Sequence, residues 1–378
     1  MNKNLLIIAG EVSGDLHGAS LITALKSLDN NIQIYGIGGD KMKAAGMNLV
    51  HHINQMAFLG FAEIIRHIPF IKKVQRDLIE LVKSKEIKTV VLIDYPGFNL
   101  SIAKKLKALG INIVYYISPQ VWAWGAGRIK KIKKLVNKML VVFPFEEDIY
   151  KKAGVDVEFV GHPLLERIND YKFLTKTELY NKFNLNEGKE ILLILPGSRR
   201  HEVEKIYPEC IKAAEKIAGE FNLQIVTACS PNIEEDYLRK ISGKSNCKII
   251  KSYTYDLMKY AKLGIVKSGT STLEAGLFEL PMVIVYKTSY LTYLIGKKLV
   301  KLNNIGMANI IAGENIAAEL IQDMADSESI YNECKKILSD DSLLSSIKLK
   351  LNGLKKKLGT EGASKRAAEC IYSVMNEA

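Results

Sequence analysis

An aspartate that closes an apolar run is the first residue with chemistry to offer. Asp94 ends the stretch Thr89-Val90-Val91-Leu92-Ile93 and leads straight into Tyr95-Pro96-Gly97-Phe98-Asn99. At the carboxyl end of a buried strand a carboxylate sits where open α/β sheets bind their ligands. Partial burial there raises its pKa toward the range of a general base. The same position also suits a turn-forming Asx residue. Pro96 is expected to stop any helix from starting at once.

Two further loops are built for anions. Leu195-Pro196-Gly197-Ser198-Arg199-Arg200-His201-Glu202 links a strand to a helix, and the fork of Arg199 fits a phosphate or diphosphate in a way that Lys cannot, a surface salt bridge being the plainer use. Lys267-Ser268-Gly269-Thr270-Ser271-Thr272-Leu273-Glu274 leaves another strand and opens a helix, presenting backbone N–H groups and hydroxyls at the positive end of the dipole. Glu274, one turn in, suits either ribose hydroxyls or a capping box.

The first loop, Gly10-Glu11-Val12-Ser13-Gly14-Asp15-Leu16-His17-Gly18, lets backbone approach a ligand at its glycines, with Ser13 or Asp15 as a helix cap; a tight βα turn explains it equally. Both tryptophans, Trp122 and Trp124, lie in Ser118-Pro119-Gln120-Val121-Trp122-Ala123-Trp124-Gly125, ahead of the basic run Arg128, Lys130, Lys131, Lys133 and Lys134. Such a loop suits stacked bases or an amphiphile carrying phosphate. Neither GxGxxG nor GxxxxGK[ST] occurs, and the six His form no metal set, so neither cofactor nor metal is expected.

The elements that must position these loops are legible as apolar runs separated by helical stretches. One series comprises residues 4–10, 32–38, 89–94, 112–118, 138–144 and 157–161; a second comprises 191–197, 223–229, 247–252, 263–268 and 281–287. These read as buried parallel strands of two β/α sheets, with a linker near 166–188 and the ligand cleft between the sheets. After about residue 310 no strand pattern is visible, only helix periodicity.

A length of 378 residues predicts two or three domains. With 48% hydrophobic and 25% charged residues the chain is globular, not disordered. The net charge of +12 attracts nucleic acid, an anionic membrane face or an acidic substrate without choosing among them, and no nucleic-acid module accompanies it. Only eight of the 53 cations are Arg, which makes Arg199 conspicuous. Five cysteines without a CxxC pair support neither a disulfide framework nor a zinc ribbon, and fit a reducing compartment. No stretch has the length of a signal peptide core or a membrane span.

Taken in order, AGEVSGDLHGA, DYPGFN, SPQVWAWG, FPFE, VGHPL, LPGSRRHEVE, SGTSTLEAGL and NIIAGENIAAELIQ resemble the lipid-A-disaccharide synthases, GT-B glycosyltransferases of the family 19 type, over nearly the whole chain. The resemblance implies an α/β fold of two Rossmann-like parallel-sheet domains facing across a cleft. The acceptor domain would span 1–170 and the UDP-sugar domain 188–325. A helical tail, 326–378, would pack back across them or be exchanged with a partner in a homodimer.

The implied reaction joins UDP-2,3-diacylglucosamine to 2,3-diacylglucosamine 1-phosphate as a β(1→6) disaccharide, with inversion and release of UDP; the alternative is another GT-B enzyme acting on UDP-N-acetylglucosamine. In that reaction Asp94 is the base and Arg199 a leaving-group stabiliser. The substrate and nucleotide contacts are Gly10, Ser13, Gly14, Asp15, Asn99, Trp122, Trp124, Gly197, Ser198, Ser268, Gly269, Thr270, Thr272, Glu274 and, from the resemblance alone, Asn309. Three positions depart from the family's usual pattern. Gly97 stands where many members have a second Asp, His17 lies outside the fixed positions, and Met307-Ala308 replaces a common Leu-Pro. The acylated substrates imply a cytoplasmic enzyme in peripheral contact with the anionic inner membrane. Met56-Ala57-Phe58-Leu59-Gly60-Phe61, with Ile64, Ile65, Ile68, Pro69, Phe70, Ile71, Arg66, Lys72 and Lys73, is either that contact or a buried helix face.

Overall fold

The computed structural model describes residues 3–56, 67–122, 127–288, 293 and 304–377. The chain divides into two compact units, one formed by Met1–Glu166 with Leu358–Ala378 and the other by Arg167–Lys357.

Unit 1 is built on a parallel sheet of β1 (Asn4–Ala9), β2 (Gln33–Gly38), β3 (Asn48–His52), β4 (Thr89–Ile93), β5 (Asn112–Tyr116), β6 (Lys138–Val141) and β7 (Val157–Phe159), in the order β3-β2-β1-β4-β5-β6-β7. Unit 2 has its own parallel sheet of β8 (Glu190–Leu195), β9 (Leu223–Cys229), β10 (Lys248–Lys251), β11 (Ala261–Lys267), β12 (Met282–Tyr286) and β13 (Glu319–Ile321), in the order β10-β9-β8-β11-β12-β13. Both are doubly wound Rossmann-like folds. In each, chain direction across the sheet reverses at one place, between β1 and β4 and between β8 and β11. The loops leaving those strands part there and leave a crevice.

The strands form because they are apolar on both faces. Every residue of β1, Asn-Leu-Leu-Ile-Ile-Ala, is buried, as a parallel sheet covered by helices on both sides requires. The helix Ile68–Ser84 shows how the cover is made. Val74, Leu78 and Val82 recur every fourth residue and are buried, while cations line the other side, and Pro69 occupies the first turn, where its missing N–H costs nothing. Phe70 and Ile71 pack partly against the core and Ile68 is exposed. Residues 57–66, the rest of the apolar patch, lie outside the described residues.

Three expectations need correction. Strand β13 follows residue 310, where none was expected; it has three residues and sits at the edge of its sheet. β3, also an edge strand, was not anticipated, because it is only half-buried and lacks a continuous apolar run. Pro96 does not delay a helix: Pro96–Lys107 begins on it, the first-turn position that proline's fixed φ favours.

The tail is divided between the units. Ser327–Leu338 packs on Arg200–Glu220, and Asp341–Lys357 packs on Thr270–Leu277 and Met307–Ala312, all in unit 2. The last helix, Ala363–Asn376, packs on Val12–Leu28 in unit 1. It is fastened there by Ser364, whose backbone N–H and hydroxyl donate to the two oxygens of Glu166 (2.8 and 2.6 Å), and by Arg366 donating to the Val160 carbonyl (2.8 Å).

Candidate active-site loops

In unit 1, Asp94 and Tyr95 both have left-handed backbone, φ 43° and 46°. For two successive residues with β-carbons this is strained and persists only where neighbours impose it. Those neighbours are visible. The Asn99 amide donates to the carbonyls of Ile93 (3.1 Å) and Asp94 (2.7 Å), the Tyr115 hydroxyl donates to Asp94 O (2.5 Å), and the Asp94 N–H donates to Tyr116 O (3.1 Å). Asn99 is fully buried, and this bracing is what its amide nitrogen does.

Held this way, the Asp94 carboxyl has no ion pair and no bond from another side chain among the described residues. Burial, then the charge of Glu11, pushes its pKa up to about 6 against a single opposing bond from the Tyr95 N–H. A carboxylate of that pKa is half-deprotonated near pH 6 and still a useful proton acceptor at pH 7.

The β1 loop serves the same aspartate. Gly10 lies against the Tyr95 ring, whose hydroxyl donates to Met56 O (3.2 Å). Gly14 is buried close to Ala9, and Ser13 is exposed. Asp15 does not cap its own helix: it accepts from the N–H groups of Gly39 (2.6 Å), Met42 (3.0 Å) and Lys41 (3.2 Å), and so caps the neighbouring helix Asp40–Ala44.

In the tryptophan loop the Trp122 indole donates to Glu146 Oε1 (3.1 Å) and stacks edge-on against Phe145 (5.3 Å between ring centres). Ser118 donates to the same oxygen (2.6 Å). Glu146 is 1% exposed, and burial raises its pKa to about 7 against the bonds from Ser118, Trp122 and the Phe143 N–H. Trp124 lies outside the described residues.

In unit 2 the β8 and β11 loops meet at the reversal point. Gly197 has φ 112° and leads through exposed Ser198 to Arg199, which caps the helix Arg200–Glu220 from extended backbone. Arg199 Nη1 is 3.8 Å from Glu202 Oε1, and Lys267 Nζ donates to that same oxygen at 2.8 Å. Beyond Lys267, Ser268 donates to Ile305 O (2.9 Å) and Thr272 donates to Gly269 O (2.8 Å) while accepting from the Met307 N–H (2.9 Å). These hydroxyls shape the turn, and exposed Thr270 and the half-buried backbone of Gly269 are left to meet a ligand.

Glu274 does not close a capping box. Its Oε1 accepts from Arg167 Nη2 and from the Tyr255 hydroxyl, each at 2.9 Å, and its pKa is raised by burial, which the Arg167 charge and these bonds oppose. The other oxygen accepts no hydrogen bond among the described residues. Asn309 is fully buried, and all of its side-chain bonds are internal: it donates to Ala317 O, Glu319 and Asn315, and accepts from the N–H groups of Ile316 and Ala317. It braces the segment behind the Ser268 turn. Among the described residues no group of three or more His, Cys, Asp and Glu is placed to hold a metal ion.

The sequence reading did not pick out Glu11, Tyr95, Tyr115, Glu146, Arg167, Glu202, Tyr255 or Lys267 as site residues. Lys267 and Glu202 stand inside the two anion loops, a signal that was available; Arg167 and Tyr255 carry none.

Comparison with known proteins settles the family. A family model described as lipid-A-disaccharide synthetase matches residues 5–374. The chain belongs to that family. A lipid-A-disaccharide synthase of Geobacter metallireducens is 38% identical, covering 100% of this chain and 98% of the relative, and one of Syntrophus aciditrophicus is 40% identical, covering 100% and 99%. Members of the lipid-A-disaccharide synthase family are glycosyltransferases, so this chain is an enzyme of glycosyl transfer in lipid A biosynthesis, using a UDP-sugar donor and a lipid acceptor. Solved structures agree on the fold. An S. aureus MnaA–UDP co-structure superposes with TM-score 0.68 at 14% identity, covering 100% of this chain and 98% of that one. The glycotransferase of kitacinnamycin does so with 0.67 at 14%, covering 99% and 100%. Among the described residues no helix is long and apolar enough to cross a membrane.

Proposed function

We propose that Asp94 is the general base of an inverting transfer. The 6-hydroxyl oxygen of a diacylglucosamine 1-phosphate acceptor attacks C1 of UDP-2,3-diacylglucosamine. Its proton passes to the Asp94 carboxylate, the bond from C1 to the diphosphate oxygen breaks, and UDP leaves with the electron pair. Charge grows on that leaving oxygen, and the fork of Arg199 with the N–H groups opening Thr270–Leu277 answers it. Gly197, Ser198 and Gly269 supply close backbone to the phosphates, and Glu274 takes the ribose. Ser268, Thr272 and Asn309 act through the turn they hold.

In unit 1, Gly10, Ser13 and Gly14 shape the acceptor loop, Asp15 and Asn99 hold it, and Trp122 and Trp124 receive the amphiphilic substrate. The observation that carries this reading is a half-buried carboxyl with no salt bridge among the described residues, its pKa about 6, on backbone held in a strained form. Replacing Asp94 by Ala should nearly abolish turnover and leave UDP affinity unchanged; an active Asp94→Ala enzyme refutes the assignment.

Peripheral membrane contact follows from the acylated substrates. The exposed cations Arg128, Lys130, Lys131, Lys133 and Lys134 on the helix Gly127–Leu135 beside the tryptophan loop support it. Sedimentation with vesicles containing anionic lipid tests it: a variant with Lys130, Lys131 and Lys134 changed to Gln should stay in the supernatant, and unchanged pelleting removes this helix from the contact.

A further inference from the structure

We propose that Lys267 is a second cation of the donor site, a binding residue for the β-phosphate, and that Glu202 holds it in place. The proposal rests on the reading that unit 2 binds the diphosphate of a UDP-sugar.

Lys267 is the last residue of β11, immediately before the Ser268-Gly269-Thr270 turn. Its ammonium lies over that turn, Nζ standing 3.9 Å from where a β-carbon on Gly269 would be. It donates one N–H to Glu202 Oε1 at 2.8 Å, and the side chains of the pair are 16% and 10% exposed. An ammonium has three N–H donors, and among the described residues this is its one hydrogen bond, its other near contact being the Tyr286 ring with its centre 5.7 Å away, so a donor remains for another acceptor. Arg199 Nη1 approaches the same carboxylate oxygen at 3.8 Å from the other loop, with its side chain 52% exposed. One buried carboxylate thus gathers a cation from each of the two loops at the reversal point of the sheet.

Glu202 itself is in the first turn of Arg200–Glu220, where a negative charge is favoured, and its Oε2 would stand 3.0 Å from a β-carbon on Gly197. It therefore forms the floor under the Gly197 loop, and the two cations stand at its edge. A diphosphate seated at the Thr270 helix end meets both. Lys267 has a second use: without it, the naked Glu202 carboxylate would repel the incoming β-phosphate.

A pair that served only to hold the loops together would, when broken, weaken all nucleotides alike. A cation reaching the β-phosphate distinguishes UDP from UMP. Isothermal titration calorimetry with each nucleotide decides between them. Lys267→Met should lower UDP affinity about tenfold or more, the scale of a hydrogen bond to a charged group, with UMP affinity unchanged and Lys267→Arg recovering most of the loss. If UDP affinity stays within about twofold of the parent protein, or UDP and UMP fall together, the proposal is overturned. Should Lys267→Met not fold with its carboxylate left unpaired, the double variant Lys267→Met with Glu202→Gln is read by the same ratio. Failure of the unaltered protein to bind UDP removes the donor-site reading itself, whereas normal binding by that protein with an unshifted ratio in the variants removes only the role of Lys267.

Discussion

The ring of Tyr95 occupies the space that a β-carbon on Gly10 would need: built on the observed backbone, that carbon would stand 2.1 Å from Cδ1. Gly10 has no left-handed φ, so its lack of a side chain matters for space alone. The β1 loop and the strained Asp94-Tyr95 turn are therefore fitted to each other through one missing methyl group.

Gly10→Ala should push Tyr95 off its position and loosen the turn that presents Asp94. A thermal melt should show a loss of about 1–3 kcal/mol, the usual range for overpacking. Turnover should fall further than stability, while UDP affinity, assigned to unit 2, stays constant. Recovery of the melt in Gly10→Ala with Tyr95→Gly identifies the clash as the cause; if the second change recovers nothing, the fitted-loop account is wrong.

In its charged form Asp94 makes the folded protein less stable. Burial raises its folded pKa to about 6 from the ordinary aspartate value of 3.8, so the folded state holds its proton to higher pH than the unfolded chain does. The sign follows: this contribution is fully present below pH 3.8 and is lost as pH rises through 6. At pH 7, Asp94→Asn should therefore be more stable than the parent by at most about 3 kcal/mol, and the gain should vanish near pH 4. Denaturant midpoints measured at both pH values check it. In activity, the acid limb of kcat/KM should bend near pH 6 in the parent enzyme.

Glu146 gives the tryptophan loop its own titration. Its pKa of about 7 means that the carboxylate accepting from Trp122 and Ser118 gains a proton within the physiological range. Indole emission of a Trp124→Phe variant should titrate with a midpoint near pH 7, and Glu146→Gln should flatten that curve. The same raised pKa makes its stabilising contribution disappear as pH rises through 7. A flat curve in the Trp124→Phe variant would separate Trp122 from Glu146.

What could be read in the sequence follows from which forces are local. The interior strands were legible because burial on both faces makes continuous apolar runs, and the reactive loops were legible because glycines and polar residues collect where such runs end. β3 escaped because it is half-buried and polar at three of its five positions, and β13 because three residues make too short a run; the other two edge strands, β7 and β10, were legible from their apolar residues. The supports of the site escaped for another reason: Trp122 meets Glu146 across 24 residues, and Arg167 meets Glu274 across 107. No periodicity records such pairings. Asp15 shows the converse, a residue noticed in the sequence as a cap for its own helix whose carboxylate holds the backbone of the next one.

The Arg167–Glu274 contact yields the last prediction. Oε1 of Glu274 accepts from both Arg167 and Tyr255, whose guanidinium and ring lie against each other, 5.0 Å from the guanidinium carbon to the ring centre. Arg167→Met removes one of these two bonds and leaves a half-buried carboxylate more costly to ionise, so the group proposed to take the ribose loses charge and one of its two supports. Affinity for UMP and UDP should drop by the same factor, on the order of tenfold for a lost charged hydrogen bond. Tyr255→Phe should produce a smaller drop of the same kind. Calorimetry with the two nucleotides measures both. Because ribose is common to them, a change in their ratio would place Arg167 at the phosphates instead and take Glu274 out of the ribose role.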